Sequence, residues 1–389
     1  MSVNVWRPLG TGILAPKNSV DAATRPAAPR LEFLNGSSDP TFNPGAAANN
    51  GYVSALAIQA DGKILVGGSF SSSSGIAQAN LTRLNPDGTV DASFDPNLYV
   101  DGQVNSVVVQ DDGRILLGGA FSVVDLFLRR SIARLNGDGS VDATFDACVA
   151  AGAGSGATSL AWSGDGKILA SGRFTFSSGA VRDGIARLNP CGDLDSSYAR
   201  PPGVDPDATV FTIVLQDGQA LLGGNFRLFH FTPLAGLTLL TGEGTVEPSF
   251  RPAPGVDVWG TVYALAPLPN SQLIVAGLFT QYNGQTRKCL ARVNSDGSLD
   301  PTFDPGLGPN NAVSSLALQS DGRMLVAGNF DSFGDVPRNG LARLNLDPAP
   351  FRLGPPTRRN NGPWQLTLFG ELQRATRSKQ HQIQSTGLH

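Results

Sequence analysis

Charge is scarce in this chain. Asp, Glu, Lys and Arg make up 16% of its 389 residues, and 29 basic against 32 acidic groups leave a net charge of -3. No broad basic field exists to hold a polyanion, so nucleic acid and anionic membrane surfaces are not expected partners. Histidine is rarer still: only His230 lies in the main body, with His381 and His389 in the last nine residues. Most His-based catalytic constellations are thereby excluded. The three cysteines, Cys148, Cys191 and Cys289, stand 43 and 98 residues apart, so neither a disulfide framework nor a zinc site is expected. No run of 18 apolar residues occurs, which excludes a transmembrane helix. The first 30 residues hold no apolar stretch of signal-peptide type and read as a flexible lead-in. No residue set points to a metal or another cofactor.

What the chain does have is turn formers, 47 Gly and 27 Pro, beside 41% hydrophobic residues. That is the composition of a turn-rich β protein with a real core. Self-similarity sets its architecture. A Gly-x-Phe step recurs at Gly68, Gly119, Gly172, Gly224, Gly277 and Gly328, a mean period of 52 residues. A closing aromatic keeps step at Phe42, Phe94, Phe145, Tyr198, Phe250 and Phe303. Arg83, Arg134, Arg187, Arg292 and Arg343 form a third series, in which the fourth unit has Leu239 instead.

Within a unit the apolar residues alternate, as strands require. Val53 to Gln59 leads into Asp61-Gly62 and returns as Lys63 to Phe70; Leu81 to Asn85 leads into Asp87-Gly88 and returns as Thr89 to Phe94. Asp-Gly between apolar runs is a strong hairpin signal, because Gly tolerates the positive φ that the turn needs. Each unit is therefore expected to be a four-stranded antiparallel blade. Six such units predict an all-β, six-bladed β-propeller over residues 31–347. The sixth unit stops after its third strand at Asn345, and Phe33 to Phe42 supplies the missing closing strand from the other end of the chain.

Segments such as LARLN, then DGSLDPTFDPG, VSSLALQ and an apolar run ending in GGxF resemble the delta-60 repeat family of bacterial β-propellers over about residues 31–347. The resemblance implies a secreted or cell-surface bacterial protein with no established general activity. A similar period and Gly-Gly pair occur in kelch repeats, but the Tyr and Trp that follow in kelch are missing here.

The two faces of such a disc differ. One is capped by short Asp-Gly turns, too short to build a pocket, while the other carries the long loops between second and third strands and the inter-blade loops. Function is expected on the long-loop face. Its candidate ligand-binding residues are Phe127, Phe229, His230, Tyr282 and Phe333 from the blade loops, with Tyr52, Tyr99 and Trp259 from the inter-blade loops. Aromatic rings there would stack on carbohydrate or anchor a partner protein. The competing reading is that they pack the loops against one another. Acids on the same face, Asp125, Asp183, Asp205, Asp207 and Asp257, leave room for a polysaccharide-cleaving enzyme, which needs two carboxylates facing one cleft. A spacer with no site of its own is the third reading.

Other patterns read as structural. The N-x-D-G-x-x-D spacing at Asn85, Asn136 and Asn294 looks like a calcium loop but lacks the bidentate Glu and coincides with the repeated hairpin turn. The Arg series is expected to bond a carboxylate or a neighbouring blade's carbonyl, and Gly67-Gly68 and its counterparts to allow close approach of blades. Residues 348–389 form a Pro-rich, basic tail in which Trp364 to Phe369 alternates like one strand. The sequence thus predicts a monomeric, non-catalytic interaction module without cofactor, and the family resemblance implies that it acts outside the cell.

Overall fold

The computed structural model describes residues 51–346 except 72–78, 96, 151–155, 199–202, 206–207, 253, 258, 269–270, 320–321 and 339, together with 352–353 and 368–369. The lead-in and the closing strand assigned to Phe33 to Phe42 lie outside the described residues, as does the tail apart from Arg352–Leu353 paired with Leu368–Phe369. All regular structure described is β, and none of it is a helix able to cross a membrane.

Six three-stranded antiparallel sheets follow one another along the chain, one per repeat. In the first, Tyr52–Ile58 pairs with Ile64–Ser69, which pairs with Leu81–Leu84. The Asp-Gly positions do form the turns: Gly62, Gly88, Gly113 and Gly139 all have φ between 84° and 99°. Gln59 N donates to the Lys63 carbonyl and Gly62 N to the Gln59 carbonyl, a type I turn completed by a bulge at the left-handed glycine.

The fourth strand is where expectation and structure part. Each of the first five sheets meets its fourth segment through a single bridge, such as Leu84 with Val90 or Val293 with Leu299. The next residue explains why. Asp91 receives Ser93 N and the Ser93 hydroxyl on Oδ1, which bends the chain into a turn where a strand would continue. Asp95 N then donates to the Asp138 carbonyl of the second repeat, so the chain leaves its own sheet edge for the neighbour.

Because successive side chains of a strand point to opposite faces, each central strand serves two cores. Ile115 and Leu117 join a cluster with Leu65, Leu81 and Phe94 of the first repeat. Leu116, between them, joins Leu160, Ile168 and Phe174 of the third repeat. The same pattern links the third repeat to the fourth, the fourth to the fifth and the fifth to the sixth. Each such side chain contributes about 1.5–3 kcal/mol on burial. The glycine pair permits this packing: a Cβ on Gly67 would come within 2.8 Å of Val104 Cγ1, and one on Gly118 within 2.8 Å of Leu160 Cγ. All six aromatics of the Gly-x-Phe steps, from Phe70 to Phe330, are buried in these layers.

Candidate functional site

At the turn end of the sheets, the Arg series builds one repeated clasp. Arg83 Nε lies 2.7 Å from Asp91 Oδ2, and its Nη1 donates to the Gly137 carbonyl of the next repeat. Its guanidinium stacks 4.5 Å above the ring of Phe94. Arg134 does the same with Asp142, the Pro190 carbonyl and Phe145; Arg187 with Asp195, the Gly242 carbonyl and Tyr198. Arg292 completes the set with Asp300, the Leu346 carbonyl and Phe303. A second donor reaches each of the four acids, Lys63 to Asp91, Arg114 to Asp142, Lys167 to Asp195 and Gln272 to Asp300. Burial alone would raise the Asp142 carboxyl, but hydrogen bonds from Thr144 and Arg134 outweigh it and hold the group at about 2. Asp300 is held at about 2 in the same way, against burial, by Thr302, Arg292 and Gln272.

At the loop end, the long connections are mostly small hairpins, which alternation did not reveal. Val123–Val124 pairs with Phe127–Leu128, Leu228–Phe229 with Thr232–Pro233, Gln281–Tyr282 with Gln285–Thr286 and Ser332–Phe333 with Val336–Pro337. The third repeat instead extends its own strands, Ile168–Thr175 and Val181–Leu188, as one long hairpin. Residues of the inter-repeat loops pin the short hairpins. Asp101 accepts from Ser122 N and Val123 N, and Asp205 from Arg227 N and Leu228 N. Asp257 accepts from Thr280 N and its hydroxyl, and Asn310 from Asp331 N and Ser332 N.

This geometry sorts the aromatic candidates. Phe229 and Tyr282 are fully buried, a correction to their expected place on a ligand face. They occupy the second position of their hairpins, where each bridges back to an inter-repeat loop, Phe229 to Val204 and Tyr282 to Val256. Tyr282 also donates its hydroxyl to the Gly297 carbonyl. Phe333 holds the equivalent position and packs edge-on to Phe330. The exposed set is Tyr52, Tyr99, Phe127 and above all Trp259, 88% exposed, with Arg227 over its ring.

Two strongly exposed apolar residues stand beside these candidates, Leu126 at 98% and Phe231 at 78%. They sit at hairpin tips. His230 and Phe231 have φ of 48° and 63°, where the fifth repeat has Asn283-Gly284. A bulky residue in that region is strained, and the strain is kept at sites that use it more often than elsewhere. His230 itself is half-buried against Phe229, with ring centroids 4.5 Å apart, and burial lowers its pKa.

The acids of the enzyme reading have structural tasks. Asp205 and Asp257 hold backbone N–H groups as described, Asp125 accepts from Tyr99 N, and Asp183 lies 3.0 Å from Arg173. Asp207 is outside the described residues. Among the described residues no cluster of His, Cys, Asp or Glu could hold a metal, and the turn acids such as Asp87 instead accept from Thr89 within their own loops. A second Arg series also escaped the sequence reading: Arg129, Arg182 and Arg287 close the loop-end hairpins and are buried. Their near-regular spacing was the available signal.

Five segments, residues 59–94, 110–145, 164–198, 268–303 and 319–347, match the family model described as "Domain of unknown function (DUF5122) beta-propeller". The chain therefore carries the repeat of this β-propeller family, as its resemblance to delta-60 repeats implied. No curated protein matches it. Among solved structures, it is similar to a protein of unknown function from Bacteroides caccae, with 17% identity, TM-score 0.36, and 64% of this chain and 80% of that one covered. It is also similar to the gluconolactonase XC5397 from Xanthomonas campestris, with 15% identity, TM-score 0.40, and 73% and 85% covered. A third is PorZ, a surface component of the type-IX secretion system of Porphyromonas gingivalis, with 13% identity, TM-score 0.39, and 80% and 43% covered. At these scores none of the three lends its function to this chain.

Proposed function

We propose that this chain is a six-bladed β-propeller that serves as a non-catalytic recognition module of a bacterial surface or secreted protein, binding carbohydrate or a protein partner on its loop end. The observation that carries the reading is the set of exposed apolar tips: Trp259, Phe231 and Leu126 face solvent on the loop elements. Solvent-facing aromatics of this kind lose little entropy on binding and stack readily on sugar rings or apolar side chains. The acids nearby are taken up by backbone N–H groups, which favours recognition over hydrolysis. The location outside the cell follows from the family resemblance.

The ring is proposed to close through the N-terminal segment. Asp39-Pro40-Thr41-Phe42 repeats Asp300-Pro301-Thr302-Phe303 residue for residue. Arg343, the clasp residue of the sixth repeat, is exposed and has no ion-pair partner among the described residues. Asp39 stands at the position in the repeat from which Asp91 and Asp300 hold their arginines.

The test is a glycan panel read by thermal shift, with Trp259→Ala and Phe231→Ala as paired variants. A saccharide that raises the melting temperature of the parent chain and of neither variant establishes the loop-end site. The same shift in all three proteins would remove those tips from the site, and no shift with any glycan would leave the protein-partner form, tested by cross-linking through a cysteine at position 259.

A further inference from the structure

The turn end was expected to be too shallow for a pocket, yet a cavity of about 180 Å³ opens there between the fourth and fifth repeats. It lies where the repeated clasp lacks its arginine. Leu239 pairs with Leu221 as Arg83 pairs with Leu65 and Arg134 with Leu116, so it holds the clasp position in the ladder. Four parts of the clasp remain, three of them in its lining. Phe250, the counterpart of the stacked rings of Phe94 and Phe145, lines the cavity. Gln216, the counterpart of the Gln59 that accepts from Arg83 at 3.3 Å, lines it as well. Ser295 lines it too, and its counterparts Gly137, Pro190, Gly242 and Leu346 are the residues whose carbonyls accept from the other arginines.

The fourth part is the carboxylate. Glu247 N donates to the Leu239 carbonyl at 2.8 Å, as Asp91 N does to Arg83 and Asp142 N to Arg134, so Glu247 takes the place of the clasp acid. It accepts from Gln219 Nε2 at 2.9 Å and from the Ser249 hydroxyl, but no cation lies within ion-pair distance among the described residues. Asp217, at the exposed rim, adds negative charge. A cavity far above the roughly 30 Å³ share of one water, lined by an aromatic ring, by the Gln219 that bonds Glu247 and by the Asp217 carboxylate, suits a planar organic cation.

We propose that this vacated clasp is a binding site for a guanidinium group, supplied by an arginine side chain of a partner or by a small guanidinium compound. The group would stack on Phe250 and bond Glu247 and Ser295 as the protein's own arginines do in the other repeats. The site lies at the opposite end of the sheets from the recognition surface proposed above and stands or falls independently of it.

The test is calorimetric titration of the full chain with ethylguanidinium chloride at fixed ionic strength, with ethylurea as the neutral isostere and ethylammonium as the non-planar cation. Binding in the millimolar range, ~1–10 mM, is expected for ethylguanidinium alone. Leu239→Arg should abolish the binding and raise the melting temperature by filling the site from within. Glu247→Gln, which keeps the size and shape of the side chain, should weaken binding about tenfold. N-acetyl-arginine amide separates the sources: equal affinity assigns the site to a partner's side chain, and loss of affinity assigns it to a small free cation. Equal heats for ethylguanidinium and ethylurea, or unchanged binding in Leu239→Arg, would overturn the proposal.

Discussion

The two ends of these sheets solve different problems. The turn end repeats one device, an arginine clamped between its own aspartate, its own aromatic ring and the next repeat's carbonyl, with few departures. Among the described residues, the loop end carries short hairpins with different tips in the second, fourth, fifth and sixth repeats, which have a pinning residue, Asp101, Asp205, Asp257 or Asn310, in common. The difference teaches where variation is cheap. A buried charge tolerates no loss of a partner, whereas a hairpin with its own ladder and one pinned corner accepts almost any tip.

The largest effect expected from this contrast is on the clasp. Arg134→Ala takes from the buried Asp142 carboxylate its nearest cation, leaving Arg114 at 3.4 Å, and should cost about 3 kcal/mol in urea unfolding. Trp259→Ala at the other end should stay within about 0.5 kcal/mol. Similar costs for the two would break the comparison.

The clasps also set the acid limit. Asp142 and Asp300 have folded carboxyls near 2, below the ordinary 3.8, so their stabilisation is complete above that value and is lost as pH falls toward 2. Urea midpoints should therefore hold steady from neutral pH down to about 5 and drop steeply between about 4 and 2. A midpoint that begins to fall near pH 6 would place the sensitive groups elsewhere.

The comparison extends to the proposed closure. If Asp39 completes the sixth clasp, Arg343→Asp should cost about 1–3 kcal/mol, and adding Asp39→Arg to the same chain should recover much of it. Independent, additive losses would separate the N-terminal segment from the sixth sheet. The smallest effect is a gain: Phe231→Gly, which matches Gly284 of the fifth repeat, should stabilise by about 1 kcal/mol by relieving the positive φ. No gain would mean that the tip is not strained.

Much of the architecture could be read from the residues. The Asp-Gly turns, the buried Gly-x-Phe aromatics and the glycines at close contacts all follow from local rules and were found where alternation and spacing put them. The Arg series was legible as a structural bond, though its stacking ring became visible only in the folded chain. The fourth strand was not legible, because an aspartate that bends the chain by accepting its own neighbours' N–H groups sits in an apolar pattern that otherwise looks extended. Nor was the division among aromatics. Phe229 and Phe231 are two residues apart, on a hairpin that positive φ at His230 and Phe231 turns back, so one ring fills the core and the other meets water.

The sequence by itself determined the period, the antiparallel sheets and the glycine contacts, since each depends on residues close in the chain or repeated at one spacing. Tertiary structure alone decided which rings are exposed, where the fourth segment goes, and that Leu239 leaves a cavity lined by Phe250 and Ser295. Those outcomes depend on how neighbouring repeats meet, and a missing side chain becomes a site only when groups from two repeats stand around the space it left.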